Sequence, residues 1–358
     1  MQHPDGGSVT NGLLETLKQR IRRDGPMPVD AFMRTCLADP VHGYWHRAQT
    51  IGRGGDFITS PEISQVFGEL IGLWCAMTWQ QMGQPQAIRL VELGPGRGTL
   101  MRDALRAAGA VPAFAAAIRV HLVEMSAAMR KQQAQALAGG AHQPEWHDSV
   151  RDVPAGPAIV VANEFLDALP VRQFVFGGGW RERRVTLGDD GALRFGVGDA
   201  VHCVLDAEDG AIAEVRPGEE EVLGALAARG DAVAALFLDY GPAQDGLGDT
   251  LQAVQNHAYA DPLAFPGTAD LTAHVQFAAF AEKARKAGLA IDGPLTQAEF
   301  LGRLGIAERA AKLMTANPQR AGEIEAAVHR LISPTGMGSL FKVMAVRSPK
   351  LSPLIPFG

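Results

Sequence analysis

The stretch Glu92-Leu93-Gly94-Pro95-Gly96-Arg97-Gly98 decides the fold of this 358-residue chain. An apolar run holding Ile88, Leu90 and Val91 leads into it. A helix expected over 99–108 leaves it, with Leu100, Met101, Ala104, Leu105 and Ala108 on one face. A strand, a three-glycine turn and a helix N-terminus together make a nucleotide-type cofactor site. Glycines serve where backbone must turn tightly and meet a ligand without a Cβ in the way, and the helix N–H groups then point at the bound group. The expected fold is therefore α/β, a Rossmann-like, doubly wound sheet.

Spacing separates two cofactor classes. A dinucleotide loop in G-x-G-x-x-G order would fall on Gly94, Gly96 and Thr99, and threonine fails it. The pattern present is acid-x-G-x-G-x-G, the form used for S-adenosylmethionine. Charge agrees, because Glu92 would repel a diphosphate, whereas a ligand carrying an ammonium and a sulfonium gains from a nearby carboxylate. The next strand, 118–123, ends at Glu124, 26 residues past Gly98. An acid at that tip either accepts hydrogen bonds from both ribose hydroxyls or is a solvated cap, and the glycine loop before it favours the ribose. The third unit ends Trp146-His147-Asp148-Ser149, where Asp148 either reaches an adenine amino group or belongs to a plain loop.

Composition agrees with an ordinary soluble protein. The length suggests a main domain with substantial additions, at roughly 150 residues per domain. An apolar content of 47% and a formal charge of −6 give no basic excess for general nucleic-acid binding. Cys36, Cys75 and Cys203 are far apart and lack C-x-x-C spacing, so neither a disulfide framework nor a zinc site is indicated. His42 and His46 give no convincing metal pair, and no metal is expected. Residues 1–11 carry no apolar core of a secretory signal, and no run approaches the ~18 apolar residues of a membrane span. The chain reads as cytoplasmic.

Residues 1–11 read as a disordered N-terminus, 12–86 as a mostly helical lid region broken at Gly25-Pro26-Met27-Pro28, 87–346 as the cofactor domain and 347–358 as a C-terminal tail. Between Val171 and Val215 the period drops to two, which suggests β-hairpins inserted in or added to the sheet. Ala235 to Asp239 reads as another buried parallel strand. A helix over about 276–287, a Thr296-x-x-Glu299 capping box and a last strand near 340–346 follow.

Two segments exceed what packing requires. Gly55 to Ser64 joins Asp56 and Glu62 to three hydroxyl residues and Pro61. It reads either as a helix start, with Ser60 as N-cap and Glu62 complementing the dipole, or as part of a site. Asn163-Glu164-Phe165-Leu166-Asp167 directly follows the strand Ile159 to Ala162, and ligands of open α/β sheets bind beyond the carboxyl ends of strands. Methyl transfer from a sulfonium is an in-line displacement, so the protein must chiefly orient the nucleophile and handle its proton. If the nucleophile is an arginine, with free pKa ~13.8, carboxylates match its planar fork, and Glu164, Asp167, Asp56 and Glu62 are the available acids. His274, between apolar residues, is either a satisfied structural residue or a base. The run Arg181-Glu182-Arg183-Arg184 reads as a solvated hairpin face or a contact for a partner protein.

These motifs add up to a resemblance. Gly55 to Gln65 with Phe67-Gly68-Glu69, Glu92 to Leu100, Asn163 to Phe174, Asp239-Tyr240-Gly241, Asp270 to Val275, and Met337 to Met344 resemble the MidA family of class I methyltransferases, over about Leu13 to Met344. The resemblance implies S-adenosylmethionine on the Gly94, Gly96 and Gly98 loop and Glu124. Glu92, Asp148, Asn163, Thr59, Ser60 and Pro61 complete the candidate cofactor contacts, and Glu164, Asp56, Asp167, Glu62 and His274 are the candidate catalytic residues. For the mitochondrial member it implies symmetric dimethylation of an arginine in a complex I subunit, an NADH dehydrogenase. Trp45 and Gln276 depart from the pattern, which expects a second aromatic and an acid there.

Three readings stand: a protein arginine methyltransferase in which Glu164 and Asp56 contact the guanidinium, a cofactor-binding assembly chaperone for a respiratory complex, and a small-molecule methyltransferase. Each leaves the oligomeric state open, a homodimer included.

Overall fold

The computed structural model describes residues 7–46, 58–203, 206–230, 232–255 and 257–358, with side chains from residue 12 onward. The chain divides into two compact units. One takes residues 58–167, 219–245 and 275–358, and the other takes the described parts of 1–57 with 168–218 and 246–274.

The larger unit is built on seven strands: β1 (Ile88–Leu93), β2 (Ile118–Val123), β3 (Glu145–His147), β4 (Ala158–Asn163), β5 (Val233–Tyr240), β6 (Ala290–Thr296) and β7 (Phe341–Arg347). Their order across the sheet is β6-β7-β5-β4-β1-β2-β3. The first five run parallel, and β7 is antiparallel to both its neighbours. Central strands of such a sheet are covered on both faces, which is why Val233 to Leu238 form one unbroken apolar run with no exposure. Successive strands step outward from β1 in one direction and from β4 in the other. The order thus reverses between β1 and β4, and a ligand crevice opens beyond their carboxyl ends.

Helices α1 (Gln65–Gln81) and α2 (Thr99–Ala108) cover one face of this sheet. They approach so closely that a Cβ on Gly72 would come within 2.5 Å of the Ala104 carbonyl oxygen. Ser64, extended at φ −153°, caps α1 by accepting the Val66 N–H, while Thr59 precedes a separate one-turn helix, Ser60–Ile63. The expected cap at Ser60 is therefore corrected. The chain makes two short helical pieces with an extended residue between them, and the hydroxyl needed for α1 is that of Ser64.

The smaller unit holds two helices, Gly7–Asp24 and Val29–Ala38, a five-stranded antiparallel sheet and a three-stranded one. Leu13, Leu17 and Ile21, one face of the first helix, are buried with Phe32 and Met33, so this helix begins inside the segment read as disordered. The strands Arg172–Phe176, Trp180–Leu187, Leu193–Ala200 and Ile212–Val215 are the expected hairpins. They pair with one another and with Met27–Pro28, forming their own sheet and not joining the seven-stranded one. No described helix is long and apolar enough to cross a membrane.

Candidate active site

Gly94, Gly96 and Gly98 have φ of +61°, +51° and +80°, a region that side chains rarely enter. Space is tight as well at the first and last of them. A Cβ at Gly94 would lie 3.0 Å from the Phe165 ring, and one at Gly98 would lie 3.3 Å from Gln133 Cα. Gly98 has no side chain with which to cap α2. The carboxyl of Glu92 takes on part of that role by accepting the Met101 N–H from below. Burial pushes this carboxyl up to about 8, and its Oε2 has no hydrogen-bond partner among the described residues.

The tips of β2 and β3 are bound to the same loop through helix α3 (Ala127–Ala136). Gln133, fully buried, donates to the Gly96 carbonyl (2.8 Å) and to Glu124 Oε2 (3.1 Å), and it accepts the Trp146 indole N–H (2.8 Å). Glu124 Oε1 accepts the Ser126 N–H at 2.8 Å. Burial raises the Glu124 carboxyl despite these bonds. Arg130 donates to the Glu124 carbonyl (2.7 Å) and to the exposed Asp148 (2.6 Å). The sequence reading missed Gln133. Its signal was position, since it follows Met129 and precedes Leu137 at helical spacing on a buried stripe.

The second cluster stands at the ends of β4 and β5. Glu164 adopts φ +50°, rare for a non-glycine residue. Its N–H donates to the Leu238 carbonyl (2.8 Å), and its Oε1 accepts the Ser60 N–H (2.9 Å) and the Asn163 amide (3.0 Å). Desolvation first, then the Asp167 charge, pushes its carboxyl up to about 7. Asp239, named in the sequence as part of a motif but given no role there, holds this turn in place. Its Oδ2 accepts the N–H groups of Phe165, Leu166 and Asp167 at 3.1, 2.9 and 3.1 Å, and its Oδ1 accepts that of Tyr240 at 2.9 Å. Burial, reinforced by Asp167 and Glu164, raises Asp239 well above the usual carboxylate range. The signal for it was an acid closing an otherwise apolar run just before Tyr240-Gly241.

The one-turn helix Ser60–Ile63 touches both clusters. Ser60 donates to Glu164, while Glu62 accepts the Thr99 hydroxyl and lies 3.7 Å from Arg97. Thr59 and the buried Pro61 flank these contacts. The larger unit therefore brings together the glycines, Glu92, Glu124, Asp148, Asn163, Glu164, Asp167 and the Thr59 to Glu62 turn. Asp56 lies outside the described residues. His274 belongs to the smaller unit, where its N–H donates to Thr250 Oγ1 (2.9 Å), its carbonyl accepts from Arg216 (3.3 Å), and burial lowers its ring.

Residues 70–295 match the family model described as "Putative S-adenosyl-L-methionine-dependent methyltransferase". The chain belongs to this family. Relatives include the protein arginine methyltransferase NDUFAF7, mitochondrial, of Danio rerio, 36% identical over 95% of this chain and 87% of that protein. The Drosophila melanogaster homolog is 36% identical over 93% and 84%. A crystal structure from Burkholderia thailandensis, described as a "likely methyl transferase" bound to S-adenosyl-homocysteine, matches with TM-score 0.87 and 29% identity over 99% of this chain and 97% of that one. The family resemblance read from the motifs, the class I methyltransferase fold and the S-adenosylmethionine cofactor all stand. The cytoplasmic expectation does not, because these relatives are named as mitochondrial proteins. The residues fit the family's cofactor: a loop of three positive-φ glycines, two of them crowded where a Cβ would stand, and a buried acid with one oxygen left for a positive partner.

Proposed function

We propose that the protein methylates an arginine of a partner protein, and that Glu164 binds the guanidinium. The observation that carries this is the Glu164 carboxyl at the switch point, fixed in an uncommon backbone conformation by Asp239 and Ser60. The relatives' printed names, protein arginine methyltransferases, support the same acceptor. When bound, S-adenosylmethionine supplies an electrophilic methyl group on a sulfonium. Gly94, Gly96 and Gly98 would hold it, with Glu124 for the ribose, Asp148 for the adenine, and Glu92, Asn163 and the Thr59 to Pro61 turn completing the wall.

Glu164 and Asp167 then orient the guanidinium through a planar, charge-assisted contact. A carboxyl poised near 7 loses its proton readily when a cation arrives, and it can take a proton back as the nitrogen's basicity changes. Glu62 positions the glycine loop through Thr99, and Asp56 joins the acid set. The finer reading is symmetric dimethylation of a subunit of an NADH dehydrogenase of complex I type, as the assembly-factor resemblance implies. A homodimer is no part of this reading.

The test is transfer of labelled methyl into lysate proteins of a strain lacking the protein, with Glu164→Gln alongside. Expected is a labelled band that yields dimethylarginine on hydrolysis and is lost with Glu164→Gln, while S-adenosylhomocysteine still binds. Label in small molecules alone would overturn it, and no label despite tight cofactor binding would favour an assembly chaperone.

A further inference from the structure

At the outer edge of the seven-stranded sheet, β2 and β3 carry a second group of side chains that methyl transfer does not use. His121 stands opposite Glu145 in the parallel register, and His147 follows two residues later, so all three project from one face. His121 Nδ1 lies 3.0 Å from His147 Nε2 and 3.8 Å from Glu145 Oε2, and the three ligand atoms fall within 4.8 Å of one another. The His121 side chain is 3% exposed and that of Glu145 is 66% exposed, so the group has a fixed floor and an open mouth.

We propose that His121, Glu145 and His147 form a site for a divalent metal of the zinc type, with one coordination position left to solvent. Nitrogen and oxygen ligands about 2.0–2.2 Å from a tetrahedral ion lie roughly 3.3–3.5 Å from each other. The 3.0 and 3.8 Å separations bracket that range, and the carboxylate on its exposed stem can close the difference. Two imidazoles with one carboxylate select first-row divalent ions over magnesium or calcium. Arg89 and Arg229 act electrostatically on His121 and oppose a cation, and the Glu145 carboxylate offsets them.

The site would reach the cofactor through the strand that carries it. Trp146, between the two β3 ligands, bonds Gln133 on the other face, and the His147 carbonyl accepts the Glu124 N–H at 2.9 Å. An ion holding β3 therefore stiffens the mounting of Gln133 and Glu124. This inference stands whatever the methyl acceptor is.

Cobalt titration of the full-length protein, followed by visible absorption and by metal content after dialysis, tests it. Expected are one ion per chain with the intense bands of a four-coordinate site, displacement by zinc, and a tenfold or greater weakening in both Glu145→Gln and His147→Ala. Glu145 is largely exposed, so the melt of Glu145→Gln without metal should match the parent, while His147→Ala, which removes the partner of buried His121, is compared only after its metal-free fold is verified by circular dichroism. No bands, or equal binding by both variants, would overturn the proposal and leave the 3.0 Å contact as a hydrogen bond between imidazoles.

Discussion

Glu164 is held by opposing demands. Its backbone occupies φ +50°, a conformation costing on the order of 1–3 kcal/mol that persists only where surroundings enforce it. The enforcement comes from Asp239, a buried acid that satisfies three consecutive amides. An acid lifted from 4.5 to about 7 keeps its proton in the folded protein after the unfolded chain has released it. Stability therefore falls as pH rises from near 4.5 to near 7, and the Glu92 carboxyl extends the decline to about 8. Melting temperature measured from pH 5 to 8.5 should fall steadily, and Glu92→Gln should flatten the upper part of the curve. Activity should move the other way, because only the ionised Glu164 accepts a guanidinium. kcat/KM should climb through pH 7, and Glu164→Gln should cost on the order of 10²–10⁴ in rate with the fold intact. An activity that is level across this range would remove Glu164 from the acceptor site.

At the scale of elements, the glycine turn and its helix were legible because sequence chemistry and backbone geometry agree there. The helix 99–108 and the strand 118–123 occupy the expected residues, since sharp glycine and charge boundaries mark both. Gly94→Ala should weaken S-adenosylhomocysteine binding tenfold or more by calorimetry, because the new methyl meets both a positive φ and the Phe165 ring. A variant that binds as tightly as the parent would show that Phe165 moves aside freely. Less legible was the turn from Thr59 to Ser64. Three hydroxyl residues there could each cap a helix, and only the extended Ser64 shows which one does. Gln133 and Asp239 were hidden for a related reason, as single polar residues in apolar stretches whose partners lie far away in sequence. The His121, Glu145 and His147 group escaped a metal search based on cysteine spacing and local histidine pairs, because its members meet only through strand pairing.

Across the whole molecule, a doubly wound sheet and several of its buried strands could be anticipated from apolar runs, yet the strand order, the antiparallel sense of the last strand and the destination of the hairpins could not. Alternating polarity marks Arg172 to Val215 as strand, but it does not say which sheet each strand joins, and here the hairpins build a separate one. Compartment was beyond reach for a different reason: overall composition and charge do not encode an address, and the correction came from relatives named as mitochondrial proteins.

The one-turn helix Ser60–Ile63 is bonded at one end to Glu164 and at the other to Thr99 beside the glycine loop, so on the proposed assignment of acceptor and cofactor the two binding events should be thermodynamically linked. Whatever cofactor occupancy does to the position of Glu62 is felt at Ser60, and the reverse holds with the same coupling factor. Synergistic binding follows, in which either ligand tightens the site for the other. Arginine-peptide affinity should rise several-fold when S-adenosylhomocysteine is present, and Glu62→Gln should abolish the synergy before it abolishes either affinity. Two ligands that bind independently in the parent protein would break that link. A turn wired this way senses an occupied cofactor cradle, not the methyl group itself, so the spent cofactor must leave before the methylated partner is released freely.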